Sequence, residues 1–153
     1  MTDTPSKNMN DFETKYAQHR EAVAKANTLN KAVVFDALAA AGITHAFVEF
    51  DGEGDSGQTE SALARADDKP INFPNTTVKF HTAPWDQAEL SVKQTWIRTA
   101  VEDLCYGYLE QTCAGWENND GAYGEFTFDV AERKITLDFN ERFTDTSSTA
   151  HTF

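Results

Sequence analysis

Apolar residues recur along this chain with a helical period in some stretches and alternate with polar ones in others. Over residues 11–26, Phe12, Tyr16, His19, Val23 and Ala26 stand three or four apart, which predicts one apolar stripe on a helix whose other side is charged. The run Ala26-Asn27-Thr28-Leu29-Asn30 predicts a break. A second helix follows through Val33, Val34, Ala37 and Leu38 and stops at Gly42, the residue type that tolerates a left-handed C-cap. Residues 43–50 (ITHAFVEF) are β-branched and aromatic and read as a strand.

Beyond the loop Asp51–Gly57, residues 58–65 return as a second strand or, equally well by pattern, as a helical turn. Residues 66–76 carry two prolines and predict a loop, and Thr77–Phe80 a short strand or extended connection. After Pro84, Asp86 is placed to cap a long helix with Leu90, Trp96, Ile97, Ala100, Val101, Leu104, Cys105, Tyr108 and Leu109 facing inward. Gly115 predicts its end, and Trp116–Gly121 supply turn chemistry. Phe126, Phe128 and Val130 then alternate with Glu125, Thr127 and Asp129, and Ile135, Leu137 and Phe139 with Thr136 and Asp138. These are two half-buried strands with a tight turn at residues 131–133.

The pattern predicts an α+β fold: an antiparallel sheet of two hairpins, with a long central helix and N-terminal helices packed on one face. Residues 1–10 are expected to be disordered, residues 11–143 to form a single domain, and residues 144–153 (TDTSSTAHTF) to be a frayed polar tail. The length of 153 residues suits one domain with a modest core.

Charge changes the picture most. There are 13 Lys+Arg against 25 Asp+Glu, a formal charge of −12, which excludes a nucleic-acid binder working through its net field. Residues 1–31 hold five bases and four acids, so the rest of the chain carries the whole negative excess. Residues 32–64 contain six acids and residues 99–132 eight, and neither window contains Lys or Arg. On the predicted strands Glu49, Glu125, Asp129 and Asp138 point outward and join the loop acids. Such a surface either keeps the protein soluble or imitates nucleic acid for a basic groove on a partner. Trp116, beside Glu117, is a candidate exposed anchor. No run approaches the ~20 apolar residues that span a bilayer, and the start of the chain has neither a basic stretch nor an apolar one, so a cytoplasmic location is expected. Cys105 and Cys113 lie eight residues apart on one predicted helix, a rise of ~12 Å that a disulfide does not bridge.

Candidate chemistry concentrates in the loop. Gly54-Asp55-Ser56-Gly57 copies the string around a serine-protease nucleophile, but only His19 and His45 precede Ser56 and neither has a recognisable context. Asp51, Glu53 and Asp55 fall at positions 1, 3 and 5 of an oxygen-ligand loop with Glu60 at position 10, which points to a calcium-type site. Ser56 and Ala62 occupy the positions where an EF-hand needs Gly and Glu. Gly52, Gly54 and Gly57 match a dinucleotide spacing among carboxylates that would repel a pyrophosphate. The four histidines and two cysteines show no transition-metal spacing.

The strings FVEFDGEGDSGQ (47–58), AGWENNDGAYGEFTFD (114–129) and ITLDFNERF (135–143) resemble a family of small bacterial proteins known only as a domain of unknown function, similar to proteins of plasmids, phages and other mobile elements. The resemblance covers roughly residues 43–143. It implies a setting in which small acidic proteins bind a host or element protein, an anti-CRISPR or other anti-defence inhibitor being one form; it implies no catalytic residues. The leading expectation is a non-enzymatic protein that docks on a basic, nucleic-acid-binding partner, without touching nucleic acid or membrane itself, through Glu49, Asp51, Glu53, Asp55, Glu60, Trp116, Glu117, Asp120, Glu125 and Asp129. The alternatives are a calcium-binding module at residues 51–60 (Asp51, Glu53, Asp55 and Glu60) and an enzyme using Asp55, Ser56 or Glu125 in a cleft.

Overall fold

The structure, a computed structural model, describes residues 4–53, 56–85, 89–113, 121–141 and 147–153; the side chains of residues 4–11, 53, 56–60 and 147 lie outside that description. It contains helices α1 (Thr4–Ala40) and α2 (Ile97–Thr112) and strands β1 (His45–Glu53), β2 (Ser56–Ala66), β3 (Lys69–Ile71), β4 (Thr77–Thr82), β5 (Ser91–Trp96), β6 (Ala122–Asp129), β7 (Lys134–Glu141) and β8 (Ser147–Thr152). The large sheet has the order β3-β2-β1-β6-β7-β8, and β4-β5 form a separate pair. All pairings are antiparallel. The α+β reading therefore holds, with the two predicted hairpins side by side through β1 and β6.

Alternation decides what each strand buries. Ala46, Val48 and Phe50 of β1, Phe126 and Phe128 of β6, and Ile135, Leu137 and Phe139 of β7 point to one side and are buried. Phe35 and Leu38 of α1 and Leu104, Cys105, Tyr108 and Leu109 of α2 close over them. Phe35 meets Phe128 at 5.9 Å between ring centroids, and Phe50 meets Phe126 at 5.6 Å. Each such side chain stabilises the fold by about 1.5–3 kcal/mol, so this layer outweighs any charge arrangement on the opposite face.

Several expectations are corrected. The predicted break at residues 26–30 is absent, and α1 is one helix of 37 residues, Thr4–Ala40. Asn27 and Asn30 are buried inside it because tertiary partners satisfy their amides: Asn27 Nδ2 donates to Gln111 Oε1 at 2.8 Å, and Asn30 pairs with the His81 backbone. Gly107 of α2 makes room, since a Cβ there would collide with Asn27 Oδ1. The apolar stripe is buried at Val23 and Ala26, but Phe12 and Tyr16 are exposed. The end at Gly42 is as predicted: its φ of +75° is accompanied by Ile43 N–H to Leu38 C=O and Gly42 N–H to Ala39 C=O, the paired bonds of a Schellman cap.

The long helix expected after Asp86 is shorter. Residues 91–96 form β5 against β4, and α2 begins only at Ile97. The helical positions between Leu90 and Trp96 are Lys93 and Gln94, so no apolar stripe held that stretch, whereas Val92, Thr95 and Trp96 suit a strand. Trp96, expected inward, is 55% exposed. Asp86 and Gly115 lie outside the described residues. The loop at 66–76 contains the short edge strand β3, and residues 147–152 of the expected frayed tail form β8 on the far edge. Phe153 anchors that end: it exchanges two backbone hydrogen bonds with Ile135 and stacks on Tyr108 at 4.5 Å. Cys105 is buried and Cys113 half-buried, both as free thiols.

Candidate functional site

With the apolar residues turned inward, the remaining strand positions form the outer face of the sheet. Register orders them into rows. Ser61, Glu49, Glu125, Asp138 and Ala150 lie directly opposite one another across β2, β1, β6, β7 and β8. Three carboxylates therefore occupy adjacent strands at ~4.8 Å spacing, with no base in the row. Burial, then the charges of Glu49 and Asp138, raises the Glu125 carboxyl above the ordinary range. Like charges placed opposite each other cost about 0.2–1 kcal/mol per pair, so this row is sustained at the expense of stability.

Of the neighbouring rows one has no acid and the other has one, Asp51. On one side stand Leu63, Phe47, Thr127, Thr136 and Thr152, with Leu63 61% exposed and the Arg65 guanidinium lying over the Phe47 ring at 5.5 Å. On the other stand Asp51, Tyr123, Asn140 and Ser148. Asp129 faces Lys134 in register, and its Oδ1 accepts the Glu132 N–H at 3.2 Å, so it serves the β6–β7 turn rather than the acidic row.

The expected site residues thus separate. Glu49 and Glu125 come together, and Asp138, outward by alternation but not among the expected partner-binding residues, completes their row. Asp51 lies half-buried toward the open end of the same face. Glu53 pairs with Ser56, the last pair of the β1–β2 ladder, and Glu60 is the extra residue where the β1–β2 register shifts, a bulge. Asp55, Trp116, Glu117 and Asp120 lie outside the described residues. Since Gly52 pairs with Ala122, the segments leading to the two acidic loops adjoin at one end of the sheet. Phe47, Leu63 and Tyr123 were not singled out from sequence; their one signal was an apolar residue at an outward position of an alternating strand.

Other chemistry is sparse. Among the described residues no three His, Cys, Asp or Glu side chains converge on a metal position, and of the calcium set only the Asp51 side chain belongs to them. Ser56 and His45 sit at opposite ends of the β1–β2 hairpin, roughly 26 Å apart at ~3.3 Å per residue. A polar cleft of about 330 Å³ lies between α1, α2 and β4–β5, where Asn30 is engaged by His81 and Lys93 stands 3.9 Å from Asp103. Burial pushes the Asp103 carboxyl up, against the lowering effect of Lys93. No helix of the described structure is long and apolar enough to cross a membrane.

A family model described as a family of unknown function, DUF6878, matches residues 26–153. No curated protein and no solved structure matches the chain.

Proposed function

We propose, for a chain that belongs to the DUF6878 family of unknown function, that it is a non-enzymatic interaction protein whose outer sheet face docks on a basic, nucleic-acid-binding partner. The observation that carries this reading is the row Glu49–Glu125–Asp138. A surface kept only for solubility disperses its charges among opposite ones. Here three carboxylates are held opposite one another on a rigid sheet, where each pair costs stability.

A sheet presents this array already ordered, so little conformational freedom is lost when a basic groove meets it. The charges steer encounter and select against acidic partners, and the exposed Leu63 and Tyr123 beside them provide apolar anchors. The motif strings on β1, β6 and β7 resemble bacterial mobile-element proteins, which makes inhibition of a nucleic-acid-handling host system, anti-CRISPR activity included, the biological form of this proposal.

The test compares capture of proteins from nuclease-treated extract by the wild type, by Glu49→Gln/Glu125→Gln/Asp138→Asn, and by the equally neutralised off-face variant Glu13→Gln/Glu21→Gln/Glu132→Gln. Wild type and off-face variant should retain the same basic protein, released by added duplex DNA, and the row variant should lose it. Equal capture by all three refutes the assignment.

A further inference from the structure

Strand β2 runs from Ser56 to Ala66, but β3 covers only its last three residues: Ala64, Arg65 and Ala66 pair with Ile71, Pro70 and Lys69. Among the described residues no strand pairs with positions 56–63 on that side. Those eight residues span roughly 26 Å at ~3.3 Å each, and on either side of the bulge at Glu60 the residues not bonded to β1 turn their backbone N–H and C=O toward a lane that no described strand occupies. Exposed edges are commonly guarded by Lys or Pro, as β3 itself is by Lys69 and Pro70. The sequence from Ser56 to Leu63 contains neither, and its one charge is Glu60, at the bulge.

The lane opens into a groove of about 810 Å³ between β2 and the first turn of α2, walled by Leu63, Ile71, Phe73, Pro74, Trp96 and Arg98. That volume lies within the range of ligand sites. Leu63 is 61% exposed and Trp96 55%, so two large apolar surfaces face this space. Ala62 and Ala64 of β2, buried toward the core, form its floor. The groove also has a sign. Helix α2 starts here with no side-chain cap and no acid in its first turn; its Ile97 N–H donates to the Thr76 C=O, and the exposed Arg98 guanidinium, 3.6 Å from Glu102, lines the groove. In a chain of charge −12, this positive end complements a carboxylate.

We propose that the groove takes an extended, acidic segment of a partner protein by strand addition: its backbone fills the lane of β3 beside β2, an apolar side chain sits between Leu63, Ile71 and Trp96, and a carboxylate faces Arg98. Backbone pairing supplies affinity, and the apolar and basic positions supply selectivity. This surface lies at the sheet edge; it shares Leu63 with the outer face but none of the carboxylates of the acidic row.

The test is selection of a displayed library of random eight-residue peptides on the full-length protein, followed by anisotropy titration of the enriched peptides at 0.15 M salt. Enriched peptides should combine an apolar residue with a carboxylate and bind saturably. Methylating alternate backbone amides should weaken binding about tenfold or more, one lost hydrogen bond each, while methylating the intervening amides should not. Trp96→Ala and Arg98→Glu, both at exposed side chains, should each weaken binding about fivefold or more with an unchanged melting temperature. The proposal is overturned by no enrichment, by binding insensitive to amide methylation, or by binding that survives both variants. A concentration-dependent dimer that Trp96→Ala disperses would instead assign the groove to a second copy of this chain.

Discussion

Replacing Glu125 by Gln should make the protein more stable. Glu125 faces Glu49 on one side and Asp138 on the other, so the substitution removes two like-charge cross-strand pairs while keeping the side chain's size. At about 0.2–1 kcal/mol per pair the gain is roughly 0.4–2 kcal/mol, or about 1–8 °C in melting temperature for a chain of this size. The pH dependence has a defined sign. The Glu125 carboxyl is raised in the folded protein, so within the window from its ordinary value up to its raised value the folded state binds more protons than the unfolded state, and stability falls as pH rises through it. Glu125→Gln lacks that loss. Melting curves should therefore nearly coincide near pH 4 and separate fully by pH 7, and 1 M NaCl should shrink the separation. A variant that melts at or below the wild type at pH 7, or whose advantage ignores both pH and salt, would refute the idea that the row is electrostatically strained.

Three further outcomes follow from the packing. Asn30→Ala strands the His81 N–H and C=O, which the Asn30 amide holds at 2.7 and 2.8 Å, and should cost about 2–4 kcal/mol, read as a lower urea midpoint at unchanged slope. Deleting Phe153 removes its two hydrogen bonds with Ile135 and its stack on Tyr108, and should cost about 1.5–3 kcal/mol by thermal melting. Burial pushes the Cys105 thiol well up while Cys113 is half-buried, so a disulfide reagent should titrate Cys113 in the native protein and Cys105 only on unfolding.

The sheet was legible because alternation is a local signal: ITHAFVEF, EFTFD and ITLDF each show which residues go inward. The acidic row was half legible. Alternation turned Glu49, Glu125 and Asp138 outward, but their placement in one row depends on register between strands separated by some 75 residues, which no local pattern records. Asn27 and Asn30 resembled a helix break because their partners, Gln111 and the His81 backbone, are distant in sequence. Strand β8 was missed because Ser and Thr dominate it, and its order comes from the β7 edge and the Phe153 anchor. The groove beside β2 was invisible for a related reason: it exists because β3 stops after three residues, a fact of topology.

Carbodiimide labelling of carboxylates, read by mass spectrometry on the free protein and on its complex with the captured basic partner, tests the central claim most directly. The account predicts that Glu49, Glu125 and Asp138 become protected together in the complex while Glu13 and Glu21 on α1 label as before. Equal labelling of the row in the free and bound states would contradict it.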